Sequence, residues 1–285
     1  MKTTELFKKK TVFSLEIFPP RPDMGEDVIY DTLNELGGLS PDFISVTFGK
    51  NSGTDGCRTV KIASDIKHKY NVESIAHLPC ISSDKAQMTR ILDKLKANGI
   101  ENVLALRGDV PEGCVPGGDF KYASDLISFI RENYDFNILA ACYPEIHPES
   151  GSEEADIQNL KRKVECGADH LITQLFLDNS HFYRFMYKIN RHGINVPVEA
   201  GIMPVTNRRQ TERMVKMCGV SLPSKFVRIL DRYGDNDRAL KDAGIAYAVD
   251  QITDLIATGV DGIHLYTMND PYVAHKIYDA VKTLL

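Results

Sequence analysis

The stretch VFSLEIFPP (residues 12–20) decides between the two folds that a pattern of alternating strands and helices allows. It is a short apolar run, typical of a buried strand, and one carboxyl group, that of Glu16, lies near its end. A doubly wound open sheet would follow its first strand with a glycine-rich phosphate-binding loop. Here the run ends in Pro19-Pro20 instead. The stretch therefore favours a closed barrel of strands and helices.

The same unit recurs along the chain, since short apolar and β-branched runs are each followed by a loop and an amphipathic, helix-like segment. The predicted strands are Phe13–Phe18, Phe43–Phe48, Glu73–Leu78, Asn102–Leu106, Asn137–Cys142, His170–Gln174, Pro197–Met203 and Gly262–Thr267. The residues at or just after their carboxyl ends are Glu16, Thr47, His77, Asp109, Tyr143, Gln174, Met203 and Tyr266. These positions recur about every 30 residues, the length of one βα unit.

Eight such units predict a (β/α)8 TIM barrel, and no linker or shift in composition divides residues 1–285 into more than one domain. The last interval is about twice as long as the others. We attribute the difference to an extra helical segment before the last strand, near residues 223–233, followed by a long helix near residues 236–258.

The composition excludes several classes of protein. The chain has 285 residues with 34 Lys and Arg against 39 Asp and Glu, and this net charge of −5 argues against nucleic-acid binding. No run approaches the roughly 18 apolar residues of a membrane helix, so we expect a cytoplasmic protein. The six cysteines form no C-x-x-C pair, and the histidines show no metal-ligand spacing, so we expect no metal site.

Catalytic groups in such barrels lie at the carboxyl ends of the strands. Polar residues at six consecutive strand ends therefore predict a functional ring at one mouth, although each alone could be structural. Burial favours the protonated form of a carboxyl group, which suits Glu16 to act as a general acid. Asp109 adds a second carboxylate to the same mouth. In the segment before it, Arg107 is suited to contact a phosphate or a ring, and Gly108 allows close approach of the backbone.

A helix is predicted from about Ser152 to Cys166, with Ser150 and Glu153 as a capping box. One of its faces carries a polar stripe formed by Asp156, Asn159, Arg162 and Lys163. Such a stripe is most often solvated surface. Beside a barrel mouth it could instead hold a ribose and phosphates.

At these positions the sequence resembles the methylenetetrahydrofolate reductase family. The matching segments run in one order across nearly the whole chain: SLEIFPPR (14–21), ISVTFGKNSG (44–53), AHLPC (76–80), NVLALRGD (102–109), YASDLI (122–127), ACYPEIHPES (141–150), NLKRKVECGAD (159–169), ITQLFLD (172–178), AGIMPVTNRRQ (200–210) and GIHLYTMN (262–269). The resemblance implies non-covalent FAD across the barrel mouth. Reduced nicotinamide, NADH or NADPH, would reduce the flavin, which would then reduce 5,10-methylenetetrahydrofolate to 5-methyltetrahydrofolate. The two substrates would use one site in turn.

The resemblance also assigns roles to residues. Glu16 falls on the general acid that helps to open the methylene bridge to an iminium, and Asp109 on a carboxylate near flavin and pterin. Gln174 and Gln210 fall on folate contacts. The implied flavin contacts are Thr47, Phe48, His77, Arg107, Gly108, Asp109, Tyr122, Ala123, Tyr143, His147, Asp156, Asn159, Arg162 and Lys163.

Two positions depart from the family pattern. Asp270 stands where an arginine holds the folate in better-known members, so that contact is either lost or replaced, with Arg208 and Arg209 as the candidates. Met214 stands where some members carry a phenylalanine. Two alternatives therefore stay open: a flavin barrel acting on another imine or amine, and a flavin subunit that needs an electron-transfer partner. Family resemblance also implies a homo-oligomer.

Overall fold

The strands of the computed structural model form one closed parallel barrel in which neighbours in sequence are neighbours in space. The structure describes residues 1–20, 24–25, 27–49, 56–110 and 117–285. Within these ranges the strands are β1 (Val12–Ile17), β2 (Phe43–Val46), β3 (Glu73–Pro79), β4 (Asn102–Leu106), β5 (Asn137–Cys142), β6 (His170–Thr173), β7 (Val198–Ile202) and β8 (Gly262–Tyr266). The last strand pairs with β1 and places Tyr266 beside Glu16. The predicted (β/α)8 barrel is confirmed.

A helix follows each strand, as a right-handed βα barrel requires. The described helices are α1 (Asp27–Leu36), α2 (Cys57–Lys69), α3 (Lys85–Ala97), α4 (Ala123–Asn133), α5 (Glu153–Glu165), α6 (Asn179–Arg191), α7 (Arg208–Cys218), α8 (Ser224–Tyr233), α9 (Asp237–Ala257) and α10 (Pro271–Val281). The expected extra segment is α8, and the expected long helix is α9. A further helix, α7, lies in the same interval.

Two strands, β4 and β5, have the predicted bounds, and the ends of the others differ from the prediction by at most two residues. The largest difference is at β2, which ends at Val46, its last partner in β1 being Ile17. The two prolines that follow in the first strand's segment lack an N–H group and cannot extend the pairing. The end of β1 therefore sets the end of β2, and the Thr47 N–H makes one further bond to β1, to the Ile17 carbonyl oxygen at 3.0 Å.

Helix starts are fixed locally by side-chain caps. At six described helices an Asp, Ser or Asn side chain accepts a hydrogen bond from a backbone N–H of the first turn, which satisfies a donor that the helix leaves unpaired. These caps are Asp84, Ser152, Asp178, Asn207, Asn236 and Asp270. The predicted capping box of Ser150 with Glu153 is therefore wrong. Ser152 is the cap, and its hydroxyl accepts from the Ala155 N–H at 3.2 Å, whereas the Ser150 hydroxyl donates to the Ser152 carbonyl oxygen.

Side chains alternate between the two faces of the strands. The outward set packs against the helices and forms the main core. The inward apolar set fills the barrel and consists of Val12, Phe43, Ile75, Leu104, Leu139 and Ile172, with Leu6 and Phe7 packed against it. Several polar residues lie among the inward positions and are fully buried: Ser14, Ser45, His170, Glu199 and His264.

A second, smaller apolar cluster covers the strand ends. It joins the segments after β6 and β7 to α8 and α9 through Leu175, Met203, Phe226 and Tyr247, and Met214 of α7 packs against it. Because this cluster holds the α7–α8 insertion against the barrel, residues of α7 lie at the mouth. The α7–α8 insertion therefore contributes residues to the mouth of the barrel.

Candidate active site

Glu16 lies near the end of β1, with 21% of its side chain exposed at the mouth. Two imidazoles face its carboxyl group. The Nε2 atoms of His77 and His264 are 3.6 and 3.7 Å from the Glu16 Oε2 atom. Neither Nε2 atom has a hydrogen-bond partner in the part of the chain that the structure describes. Burial lowers the pKa of His77 to about 4, against the opposing effect of Glu16, so His77 is neutral near pH 7.

The loop after β8 fixes the backbone around this carboxyl group. The hydroxyl of Thr267 donates to the Glu16 carbonyl oxygen at 2.7 Å. The side chain of Asn269 accepts from the Phe18 N–H at 3.1 Å and donates to the Phe18 carbonyl oxygen at 2.8 Å. Met268 and Asn269 both adopt positive φ, which turns the chain sharply enough for these bonds. The first and last βα units are thus joined at the mouth.

Tyr266 and Gln174 lie on neighbouring parts of the rim. The Tyr266 hydroxyl donates to the Thr173 carbonyl oxygen at 2.7 Å, and burial raises its pKa well above the usual value. The Gln174 Oε1 atom accepts from the Leu175 N–H at 2.8 Å. This bond fixes the side chain, so its NH2 group is the part suited to donate to a ligand.

Arg107, Gly108 and Asp109 follow β4, as predicted. Both terminal nitrogens of Arg107 bind the Glu149 carboxylate, one of them at 2.7 Å. Glu149 is therefore its charge partner, which the sequence interpretation as a phosphate or ring contact did not include. Asp109 is exposed, and no hydrogen bond or ion pair to another described residue engages its carboxylate.

Gly108 has a φ of +84°, and a Cβ atom there would lie 2.8 Å from the Pro79 Cβ atom. We expect Gly108→Ala to lower the free energy of unfolding by more than the about 1 to 2 kcal/mol that the left-handed conformation alone costs. Gly193→Ala is the matched control, because Gly193 has a φ of +76° with nothing within 4 Å of the added Cβ. Chemical denaturation measures both. Equal losses of unfolding free energy in the two variants would show that the contact with Pro79 does not destabilise the protein.

A shallow cleft lies between the end of β5 and α5, and Tyr143, Asp156 and Lys163 line it. The Lys163 amino group donates to the Ala141 carbonyl oxygen at 2.8 Å, and burial lowers its pKa. The Asp156 carboxylate accepts from the His147 N–H at 3.1 Å. Two members of the predicted stripe thus reach the cleft.

The other two stripe residues, Asn159 and Arg162, are exposed and do not line that cleft. The reason is the helical period. Asp156 and Lys163 are seven residues apart and share one face of the helix. Asn159 and Arg162 follow Asp156 by three and six residues and therefore lie progressively further round the helix. Only two of the four residues of the predicted stripe therefore lie together at the cleft.

Tyr143, which lines the cleft, packs against the ring of His147. The rings of Tyr143 and His147 are 4.6 Å apart with an interplanar angle of 66°. Burial raises the pKa of Tyr143 to about 12, and the charges of Asp109 and Asp156 contribute to that shift. Burial also lowers the pKa of His147, whose Nδ1 atom accepts from the Glu149 N–H at 3.1 Å. Both groups are therefore neutral near pH 7.

The remaining predicted contacts lie on the other side of the mouth. Tyr122 caps α4 and is 47% exposed, and Ala123 is the first residue of that helix. Thr47 follows β2, and its carbonyl oxygen accepts from the Thr59 hydroxyl at 3.3 Å. Phe48 packs partly against the main core. Residue 21 of the segment SLEIFPPR and residues 50–53 of the segment ISVTFGKNSG lie outside the described residues.

Gln210 lies in the first turn of α7, and its N–H donates to the Asn207 side chain at 3.0 Å. Asp270 has a structural use: it caps α10 and forms an ion pair with Lys241 at 2.8 Å. Arg208 pairs with Glu212 on its own helix at 3.0 Å. The structure therefore explains why a carboxylate stands at position 270.

Sequence analysis missed the polar residues inside the barrel. Ser14, Glu199 and His264 lie at inward positions of β1, β7 and β8 and are fully buried. The signal was present, since each interrupts an otherwise apolar strand at a position that alternation turns inward. Among the described residues no group of three or more His, Cys, Asp or Glu could hold a metal ion, and no helix could span a membrane.

Comparison with known proteins gives consistent results. The family model for methylenetetrahydrofolate reductase matches residues 2–282. A 5,10-methylenetetrahydrofolate reductase of Escherichia coli (strain K12) is 38% identical over 264 residues, which are 93% of this chain and 88% of that protein. Methylenetetrahydrofolate reductase (NADH) 1 of Arabidopsis thaliana is 36% identical over 276 residues, which are 91% of this chain and 46% of that protein.

One solved structure shares the fold over its full length. It is an uncharacterised protein from Clostridium thermocellum, described as binding two copies of 5-methyl-5,6,7,8-tetrahydrofolic acid. It has a TM-score of 0.72 and 13% sequence identity, covering 100% of this chain and 99% of that chain. At this identity the likeness concerns the fold alone.

Proposed function

Because this chain belongs to the methylenetetrahydrofolate reductase family and is an oxidoreductase, we propose that it reduces 5,10-methylenetetrahydrofolate to 5-methyltetrahydrofolate through bound FAD. The observation that carries this proposal is the Glu16 carboxyl group, held at the mouth between two imidazoles. NADH is the electron donor that the plant relative's name favours, and NADPH is the alternative.

The cleft beside α5 fits the polar part of FAD. The Lys163 amino group is half-buried, and an anion there would offset the cost of burying its charge. Asp156 is suited to accept from ribose hydroxyls, and the neutral rings of Tyr143 and His147 provide flat apolar surface. Gly108, Thr47, Phe48, His77, Arg107, Asp109, Tyr122 and Ala123 would border the rest, with Asn159 and Arg162 at the solvent edge.

The chemistry that FAD would supply when bound is hydride transfer from reduced nicotinamide to the one-carbon unit of the folate. The protein's own residues would prepare that carbon. Glu16 would donate a proton as the methylene bridge opens to an iminium, and the exposed carboxylate of Asp109 would stabilise the positive charge. The NH2 group of Gln174 and the side chain of Gln210 would orient the pterin.

The name of the Escherichia coli relative, 5,10-methylenetetrahydrofolate reductase, supports this substrate class. The ion pair of Asp270 with Lys241 makes position 270 unsuited to hold an anionic glutamate tail. Arg209, which is exposed at the start of α7, is the better placed of the two arginines, because Arg208 is paired with Glu212. We therefore expect the glutamate tail of the folate to be directed towards α7. As the family resemblance implies, folate and nicotinamide would use the mouth in turn.

The visible absorbance of the purified protein tests this function. Under anaerobic conditions we expect a flavin spectrum that is bleached by NADH and restored by 5,10-methylenetetrahydrofolate. Bleaching by 5-methyltetrahydrofolate would report the same step in reverse. A folded protein that neither carries nor binds FAD would refute the proposal.

Two other functions remain as candidates. Asp270 and Met214 favour a flavin barrel acting on another imine or amine, which would be bleached by NADH but not reoxidised by the folate. A flavin subunit that depends on a partner would bind flavin yet oxidise NADH only when that partner is added. A cytoplasmic location and a homo-oligomeric state stay predictions.

A further inference from the structure

A line of polar side chains crosses the inside of the barrel from Glu16 to Glu199. The Glu16 Oε2 atom faces the His264 Nε2 atom at 3.7 Å. On the other side of that ring, the Nδ1 atom lies 2.6 Å from the Ser14 hydroxyl oxygen. The same hydroxyl lies 2.6 Å from the Glu199 Oε1 atom. Two residues, His264 on β8 and Ser14 on β1, thus connect Glu16 at the mouth to the Glu199 carboxyl group on β7 inside the barrel.

Glu199 is enclosed on every side. Its exposure is 0%, as are those of Ser14 and His264. The residue facing it on β8 is Gly262, where a Cβ atom would lie only 2.9 Å from the Glu199 Cγ atom. The chain therefore leaves room for this acid at a position where any other residue would collide with it.

The titratable groups facing Glu199 do not neutralise it. On one side is His264, and on the other the His170 Nε2 atom lies 3.7 Å from the Glu199 Oε2 atom. The carboxylates of Asp42 and Asp261, from the segments before β2 and β8, add like charge. Burial, opposed by His264 and Ser14, raises the pKa of Glu199 to about 7, and burial lowers the pKa of His170 to about 3. Glu199 is thus a carboxyl group that can hold a proton near neutral pH.

We propose that Glu199 stores the proton that Glu16 delivers to the substrate, and that Ser14 and His264 carry it between the two carboxyl groups. This inference rests on the proposed function. None of the three residues touches the substrate, so each is a positioning residue that acts through Glu16.

The transfer balances proton by proton. The Glu199 O–H proton passes to the Ser14 oxygen as the Ser14 hydroxyl proton passes to Nδ1 of His264. The Nε2–H proton of His264 then passes to the Glu16 carboxylate. Glu199 becomes ionised, Glu16 becomes protonated, and His264 changes tautomer without changing charge. The 3.7 Å separation at Glu16 must shorten by somewhat under an ångström, which is common when a ligand closes a site.

A proton source inside the barrel is needed because the bound substrates would cover the mouth. Glu16 meets solvent only there, so a bound flavin and folate would separate it from water while the reaction consumes one proton. When the product leaves, a solvent proton on Glu16 returns along the same line to Glu199 and restores the His264 tautomer. His77 cannot replace Glu199 as the proton source, because its low pKa makes the ring neutral near pH 7 and loss of the remaining N–H proton would leave an imidazolate anion.

Two variants test the relay. Glu199→Gln keeps the shape but cannot ionise, and Ser14→Ala breaks the line in its middle. The matched control is Ser74→Ala, since Ser74 is equally buried on β3 but shares the outward face with Ala76. For each protein, stopped-flow absorbance measures reoxidation of reduced flavin by 5,10-methylenetetrahydrofolate in mixtures of H2O and D2O. Reduction by NADH is measured in parallel.

We expect reoxidation to slow by roughly tenfold or more in both relay variants, with Ser74→Ala and all NADH rates near wild type. The wild-type rate should depend on the D2O fraction along a curve, because several protons move together. In the two variants the dependence should become straight. A merely structural role would slow the step without changing this curvature. Wild-type rates, or unchanged curvature with slower rates, would overturn the relay.

Infrared spectroscopy separates this inference from the proposed function. Near pH 7 we expect a carboxylic-acid carbonyl band that is absent in Glu199→Gln. If that band is present but the folate does not reoxidise the wild-type flavin, the proposed function fails and the store has no reaction to serve. If reoxidation proceeds and the band is missing, the proposed function stands and the store at Glu199 is wrong.

Discussion

Replacing Glu16 with glutamine is expected to slow reduction of the folate by a factor of about 10² to 10⁴, the usual contribution of a general acid. The amide keeps the size of the side chain but has no acidic proton to give to the opening methylene bridge. Flavin content and reduction by NADH should stay near wild type, because neither uses that proton. Stopped-flow absorbance resolves the two half-reactions.

The NADH half-reaction is the internal control for this variant. If both half-reactions slowed equally, Glu16 would be supporting the site's structure rather than donating a proton. A folate half-reaction at the wild-type rate would assign the general acid elsewhere.

Replacing Lys163 with alanine is expected to have the second largest effect, on retention of FAD. Two lysines line the cleft beside α5, and Lys188 is paired with Glu153, so the half-buried Lys163 amino group is the one suited to hold an anion. A hydrogen bond to a charged group contributes about 1.5 to 3 kcal/mol. Its loss should raise the dissociation constant of FAD by roughly 10- to 100-fold. Flavin fluorescence on titration of the protein with FAD measures the change.

Lys161→Ala is the matched control. Lys161 lies on the same helix, pairs weakly with Glu165 at 4.0 Å, and is 41% exposed, so its loss should leave the affinity for FAD unchanged. Equal effects of the two substitutions would show that only the net charge of α5 matters. If Lys163→Ala left the dissociation constant of FAD unchanged, this part of the polar stripe would be ordinary solvated surface.

The barrel could be predicted because its signal is local and repeated. Each strand is a short apolar run, and the spacing of polar strand ends matches one βα unit. The α7 helix was missed because its sequence has only a narrow apolar face, which packs against the small cluster at the mouth. Such packing depends on contacts between distant segments, which a single window of sequence does not contain.

The candidate site was predictable to the same extent. Glu16 and Asp109 stand at strand ends, where position alone suggests a role. The pairing of Arg107 with Glu149 was not predictable, because it joins two loops that follow different strands. The bond from Ser14 to Glu199 joins residues 185 positions apart and depends on the register of the closed barrel. Only the assembled sheet brings them together.

The joining of the first and last βα units at the mouth has a consequence for biosynthesis. Glu16 is synthesised long before the groups that hold its backbone and face its carboxyl group, which include His264, Thr267 and Asn269 of β8 and the loop after it. The bond from Thr267 to Glu16 spans 251 residues. Contacts of such separation cannot form until the last strand leaves the ribosome. A chain that stops short of β8 therefore lacks the groups that orient its acid, so we expect activity only after β8 and the loop that follows it have been made.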